Sequence, residues 1–139
     1  MHFRDRRAFS FGQFADRDMV VPEPFEVGLR DLMDRTGDAG ASANFAENHA
    51  NAMLLGPGGI EERRDLWIGL SLIAPQIRYP DHQHAPEETY LVLSPGSFRK
   101  PGRDWFQPGI GGSFFVPPNA VHAMRAEEEP LFALWALRV

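Results

Sequence analysis

Residues 82–93 read HQHAPEETYLVL and combine potential metal ligands with a strand-like run. Side chains two residues apart lie on the same face of an extended chain, so His82 and His84 share one face. Glu88 and Tyr90 share a face in the run that follows. The stretch therefore predicts a β-strand with a group of imidazole, carboxylate and phenol side chains at its start.

A third histidine, His122, ends the stretch 117–122, PPNAVH. A lone histidine on a strand is usually a core or surface residue, but two histidines and a glutamate buried without a metal would be costly unpaired polar groups. Three imidazoles and a carboxylate suit a divalent transition metal and leave positions open for substrate. We therefore expect His82, His84, Glu88 and His122 to hold one such ion. Fe(II) is the first expectation, and Mn(II), Ni(II), Co(II) or Zn(II) would also fit.

The composition limits the classes of protein to which this sequence can belong. The chain has 139 residues, of which 43% are apolar, enough for one domain with a sizeable core. Its 14 basic and 19 acidic residues give a net charge of −5, which argues against a nucleic-acid partner. With no cysteine, disulfides and thiolate sites are excluded. No apolar run approaches the ~20 residues of a membrane span, and residues 1–14 are basic and lack the apolar stretch of a secretory signal. We expect a cytoplasmic protein without a membrane partner.

The second part of the chain reads as short strands between Pro- and Gly-rich turns. This pattern is typical of an antiparallel sandwich or barrel, a mainly β fold. The C-terminal run LFALWALRV is apolar on both faces, which predicts that it is covered twice, with a homodimer partner as one possible cover. The predicted strands are 66–74, 76–79, 88–93, 112–116, 120–124 and 131–139.

Helical patterns fall in the first part of the chain. In residues 24–35, apolar side chains recur at helical spacing. A second helix is predicted over 42–54, where Gly and Pro residues follow. The resulting organisation is one domain over 1–139, with a helical extension over about 1–56 and a barrel core over about 65–139.

The pattern HxHxxxE followed by PxNxxH resembles the two motifs of the cupin superfamily, a family of small antiparallel β-barrels of jelly-roll type. Two departures concern turns. Gln76 stands where the first motif usually opens with Gly, and Asn119 replaces a usual Gly, although Asn also tolerates positive φ. The resemblance implies a single-domain cupin.

A narrower resemblance lies within that superfamily. Residues 79–94, the pair Trp105–Phe106 and residues 118–125 are similar to the cupin-type dimethylsulfoniopropionate (DMSP) lyases. The likeness covers about residues 66–139. It implies a carbon–sulfur lyase that cleaves DMSP to dimethyl sulfide and acrylate, with the metal on the four residues named above and Tyr90 as the catalytic base.

The reaction gives Tyr90 a physical role, because a nearby dication favours the phenolate and so lowers the pKa of a tyrosine, ordinarily ~10. The alternative is a buried aromatic residue with a hydrogen-bonded hydroxyl. Tyr79 is expected to line the pocket. Aromatic walls could hold the sulfonium by cation–π attraction, although most strand aromatics are core residues. The candidates for substrate binding are Tyr79, Trp105, Phe114 and Trp135.

Two other functions use the same residues. A dioxygenase could carry ferrous iron on the 3-His/1-Glu set, and a non-catalytic cupin could bind a small molecule there. A dioxygenase needs O₂ and no phenolic base, whereas the lyase needs the base and runs without O₂. Sensors usually add a DNA-binding domain, for which the chain has no room.

Overall fold

The computed structural model describes residues 40–100 and 102–139. In this part of the chain a short 3₁₀ turn at Phe45–Glu47 precedes seven strands. The strands are β1 (His49–Leu55), β2 (Leu66–Ile73), β3 (Glu87–Val92), β4 (Ser97–Arg99), β5 (Ser113–Val116), β6 (Ala123–Arg125) and β7 (Leu131–Arg138). The predicted helix over 24–35 lies outside the described residues.

The strands form two antiparallel sheets. Five pair in the order β1-β2-β7-β3-β5, and β4 pairs with β6 in a second sheet. Side chains from both sheets meet in one apolar core, where Phe98 of β4 lies 5.5 Å from Tyr90 of β3 and 5.2 Å from Phe114 of β5, ring centre to ring centre. The mainly β, antiparallel architecture predicted from the sequence is confirmed.

The helix predicted over 42–54 is wrong. The segment instead forms the 3₁₀ turn and then β1, which pairs with β2 from His49 opposite Ile73 to Leu55 opposite Ile68. Alanine, methionine and leucine favour helices in isolation, but propensity is weak compared with tertiary pairing. Here the edge of the main sheet supplies the backbone hydrogen bonds, so the segment is extended.

Two short predicted strands are only partly formed. In the segment 76–79, Gln76 lies in a turn and only Arg78 makes a bridge, to Arg125. The strand predicted over 120–124 begins at Ala123 instead. Strand β4 was not predicted, because it is only three residues long and directly follows a Pro–Gly turn.

β7 lies between β2 and β3 and presents alternate residues to the core. Leu131, Ala133, Trp135 and Leu137 are buried, and the residues between them are half-buried. The apolar pattern on both faces therefore reflects a central strand, and the homodimer remains a prediction. Within the residues described, no helix is long and apolar enough to cross a membrane.

Candidate metal centre and active site

The backbone brings His82 and His122 side by side. The two residues form an isolated antiparallel bridge, in which His82 N donates to His122 O at 3.0 Å and His122 N donates to His82 O at 2.8 Å. Their ring centres are 4.0 Å apart. The carbonyl of His84 accepts a 2.8 Å bond from the Asn119 amide, so the loop before His122 is tied to the first motif as well.

Glu88 completes the group from the start of β3. His82, His84, Glu88 and His122 are all buried, and one ligand atom from each lies within 4.8 Å of the others. The structure thus places the four predicted ligands, which come from residues 82–122 of the sequence, around one point.

Each imidazole of the cluster is oriented by its own backbone contact. Contact between Nδ1 and a carbonyl orients each ring so that Nε2 faces the centre of the cluster, which is how ligating histidines are commonly held. The carbonyls that contact Nδ1 of His82, His84 and His122 are those of Pro80 at 2.9 Å, Pro86 at 2.8 Å and Ala120 at 3.0 Å, respectively.

The charges of the cluster suit a divalent cation. Burial opposes ionisation of Glu88, but hydrogen bonds from His122 and His84 outweigh it and lower the pKa of the carboxyl to about 2. Burial, together with repulsion from His122, lowers the pKa of His82 to about 3. Near neutral pH the cluster therefore contains an ionised carboxylate and a neutral His82 imidazole, which is the protonation state that metal binding requires.

The spacing of the donors fits as well. Glu88 Oε2 lies 2.9 Å from His84 Nε2 and 3.0 Å from His122 Nε2. Two ligand atoms that are each about 2.1 Å from one ion at right angles are about 3 Å apart. The donor set and its spacing are those of a site that can hold a first-row divalent ion.

Tyr90 lies next to this cluster. Its hydroxyl is 3.3 Å from His122 Nε2, and its side chain is 2% exposed. Burial and the neighbouring Glu88 charge raise the pKa of the phenol well above its ordinary value. Without a cation in the cluster, Tyr90 is therefore a neutral phenol, and it needs a local positive charge to act as a base.

A cavity of about 40 Å³ opens beside the cluster, with room for a few water-sized groups. Of the predicted substrate-binding residues, Tyr79 and Trp135 line it. Phe114 does not line the cavity. The centre of its ring lies 6.1 Å from the ring centre of Tyr90 and 6.4 Å from that of His122. The residues that line the cavity are Asn51, Ser71, Tyr79, His82, His84, Glu88, Tyr90, Met124, Trp135 and Leu137.

Trp105 lies elsewhere, against three arginines. The guanidinium carbons of Arg125, Arg99 and Arg78 are 4.5, 4.9 and 5.5 Å from the centre of its ring. Its aromatic face is therefore engaged with cations of the protein, and Trp105 is not among the described residues that line the cavity.

Two polar residues of the cavity, Asn51 and Ser71, were not predicted from the sequence. They are directly opposed on β1 and β2, and the Ser71 hydroxyl donates to Asn51 Oδ1. Ser71 could have been found as the single polar side chain in the apolar run LWIGLSLIA. Asn51 could not, because its segment was predicted as a helix.

Comparison with known proteins identifies the family of this chain. A family model of DMSP lyases matches residues 26–133, most of the chain. The DMSP lyase DddQ of Ruegeria pomeroyi is 31% identical over 93 residues, which are 66% of this chain and 46% of DddQ.

Solved structures with a similar fold include a DMSP lyase and a more distant cupin-like protein. The crystal structure of Ruegeria pomeroyi DddQ matches with a TM-score of 0.67 and 28% identity, over 75% of this chain and 53% of that one. A cupin-like protein from Thermotoga maritima matches in fold, with a TM-score of 0.57 and 19% identity, over 73% of this chain and 77% of that one. The chain spans about half the length of the DddQ relatives. With a cupin fold and a family match over most of its length, this chain belongs to the DMSP lyase family.

Proposed function

We propose that this chain is a metal-dependent DMSP lyase that forms dimethyl sulfide and acrylate by a β-elimination started by Tyr90. The observation that carries the proposal is the position of the Tyr90 hydroxyl, which is buried and 3.3 Å from Nε2 of His122, a member of the three-histidine, one-glutamate cluster. Membership of the family and the 31% identity to DddQ support the choice of substrate.

The elimination can be written with every atom placed. The Tyr90 phenolate oxygen removes a proton from the carbon next to the substrate carboxylate. The electron pair of that C–H bond becomes the carbon–carbon double bond of acrylate. The bond between the β-carbon and sulfur breaks, and its electron pair goes to sulfur, which leaves as neutral dimethyl sulfide. Tyr90 is left as a neutral phenol and returns its proton to solvent.

His82, His84, Glu88 and His122 would hold the metal. When bound, a divalent ion supplies Lewis-acid stabilisation to the substrate carboxylate and a positive charge that lowers the pKa of the Tyr90 phenol. The proposal takes Fe(II) as this ion, with Mn(II), Ni(II), Co(II) or Zn(II) as alternatives that the same donors accept.

Two aromatic residues of the cavity can hold the substrate. Trp135 is buried in the cavity wall, and an indole face attracts a desolvated cation such as a sulfonium. Tyr79 is held by ring contacts with Phe45 at 4.7 Å and His82 at 4.8 Å, so its hydroxyl occupies a fixed place in the same wall. The proposal does not assign substrate contacts to Trp105, whose ring faces arginines, or to Phe114 outside the lining.

The test is the release of dimethyl sulfide into the headspace by purified protein loaded with Fe(II) and given DMSP, with and without O₂. We expect sulfide in both atmospheres, and none after chelation of the metal. Absence of sulfide from the metal-loaded protein would contradict the proposal. Turnover that strictly requires O₂ would instead indicate a dioxygenase.

A further inference from the structure

The wall of the cavity formed by β1 and β2 is polar, although the strands are otherwise apolar there. Asn51 and Ser71 are directly opposed across these strands, and Ser71 is 3% exposed. Asn51 is half-buried, and the two side chains are hydrogen-bonded to each other. The pair therefore holds polar atoms at a fixed place in the cavity wall.

The hydrogen bonds form a directed chain that leads to Tyr79. The Ser71 hydroxyl donates to Asn51 Oδ1, which fixes the orientation of the amide. The Asn51 side chain also hydrogen-bonds to the Tyr79 hydroxyl. Because Asn51 Oδ1 accepts from Ser71, we assign the Asn51 amide N–H as the donor to Tyr79. A phenol oxygen that accepts one hydrogen bond still carries its own hydrogen to donate. The chain thus sets the rotation of the Tyr79 O–H.

We propose that Ser71 and Asn51 are positioning residues that hold the Tyr79 hydroxyl as a hydrogen-bond donor to the carboxylate of the substrate. The proposal rests on the proposed lyase function, because it takes a short carboxylate in the same cavity as its ligand. Tyr79 lines the cavity together with Glu88 and the cluster histidines His82 and His84, so a carboxylate beside the cluster is within its reach. The donor would hold an oxygen whose negative charge increases during proton removal.

The test is a double-mutant cycle between Asn51→Ala and Tyr79→Phe in the metal-loaded protein. Two readouts are used: the affinity for acrylate by calorimetry, which needs no turnover, and kcat/KM for DMSP. In the otherwise unaltered protein, Asn51→Ala should lower the acrylate affinity and kcat/KM about 10-fold each. A loss of this size corresponds to one lost hydrogen bond to a charged group. In the Tyr79→Phe background Asn51→Ala should change neither by more than about twofold, because the hydroxyl that Asn51 positions is gone.

Ser71→Ala is the second variant, since it removes a single oxygen and keeps the pairing of β1 with β2. It should weaken acrylate binding a few-fold, again only when the Tyr79 hydroxyl is present. Asn48→Ala and Thr89→Ala are the matched controls for the amide and the hydroxyl, and both should leave affinity unchanged. Metal content should be the same in every variant.

An equal loss of acrylate affinity from Asn51→Ala in both backgrounds would overturn the proposal, as would no loss in either. The result is separable from the lyase assay. If no dimethyl sulfide forms but the acrylate cycle behaves as described, the proposed function fails and the positioning of a carboxylate by Tyr79 stands.

Discussion

In the proposed reaction, Tyr90 must act as the base although its surroundings favour the neutral phenol. It is buried between Phe98 and Phe114, and its pKa is raised by burial and by Glu88, so only the charge of a bound cation can make it basic. Tyr90→Phe keeps the ring and removes the oxygen. We expect dimethyl sulfide production to fall by about 10²- to 10⁴-fold, the range of general-base contributions, with metal content unchanged. Thr89→Ala on the exposed face of β3 is the control. Full activity of a metal-loaded Tyr90→Phe protein would show that another group is the base.

Among residues 40–100 and 102–139, two non-glycine residues adopt left-handed backbone conformations, Gln76 with φ of 64° and Asn119 with φ of 59°. Both are positions at which the cupin motifs usually carry Gly, so the backbone follows the family pattern although the residues depart from it. Left-handed backbone costs ~1–2 kcal/mol for an ordinary side chain, and Asn tolerates it better.

Gln76→Gly should therefore stabilise the protein by roughly 0.5–1 kcal/mol, because the strain relieved exceeds the added entropy of the unfolded chain. Asn119→Gly should be closer to neutral. Urea denaturation midpoints of both variants measure the difference. Lower stability of Gln76→Gly would show that the Gln side chain contributes contacts that outweigh the strain.

At the residue scale the sequence predicted the four cluster residues and Tyr90, because strand spacing places His82 with His84 and Glu88 with Tyr90 on common faces. The position of His122 followed only from the resemblance and from the chemistry of burial. Asn51 shows the limit: which face of a strand meets the cavity depends on pairing across the sheet, which a single sequence does not contain.

At the element scale, prediction succeeded for long apolar strands bounded by turns and failed for segments whose conformation is decided by their neighbours. β2 and β7 were predicted nearly to their ends. β1 was predicted as a helix because its composition favours one, while its conformation is imposed by pairing with β2. Residues 76–79 were predicted as a strand but make a single bridge, because a left-handed turn at Gln76 interrupts the strand.

The packing of β2 against β7 also shapes the cavity. Gly69 lies opposite Trp135, and a Cβ at Gly69 would come within 2.1 Å of the indole ring and 2.6 Å of the Ala52 carbonyl. Gly69→Ala should therefore displace Trp135, destabilise the fold by ~1–3 kcal/mol and raise the KM for DMSP. Thermal unfolding and steady-state kinetics measure the two effects.

Gly96→Ala is the matched control, because the three atoms nearest to a Cβ there all belong to the Leu131 side chain, at 2.5 to 3.0 Å. It should lower stability and leave the KM unchanged. An unchanged KM in Gly69→Ala as well would mean that the position of Trp135 does not matter to substrate binding.

For the whole molecule, the buried cluster links stability to pH. His82 has a folded-state pKa of about 3, so between pH 6.5 and 3 the unfolded state binds a proton that the folded state does not. Stability from this residue is present above pH 6.5 and is lost as the pH falls toward 3. The lowered pKa values of Glu88 and His49 act in the same direction, whereas the raised pKa of His84 acts against them.

We therefore expect the metal-free protein to become less stable to urea as the pH falls from 7 to 4. In His82→Gln, the slope of the unfolding free energy against pH should decrease by up to roughly 1.4 kcal/mol per pH unit, the value for one proton. The slope, and not the stability at pH 7, is the readout, because the substitution also alters packing. A slope equal to that of the unaltered protein would show that His82 is not the group that titrates.

Titration of the metal-free protein with Co(II), followed by its visible absorption, tests directly whether the four buried side chains act as one metal site. We expect one equivalent to bind, with the endpoint lost in His122→Ala and in Glu88→Gln. It should be kept in His49→Gln, which alters a partly buried histidine outside the cluster. No binding, or one full equivalent retained by His122→Ala, would contradict the account.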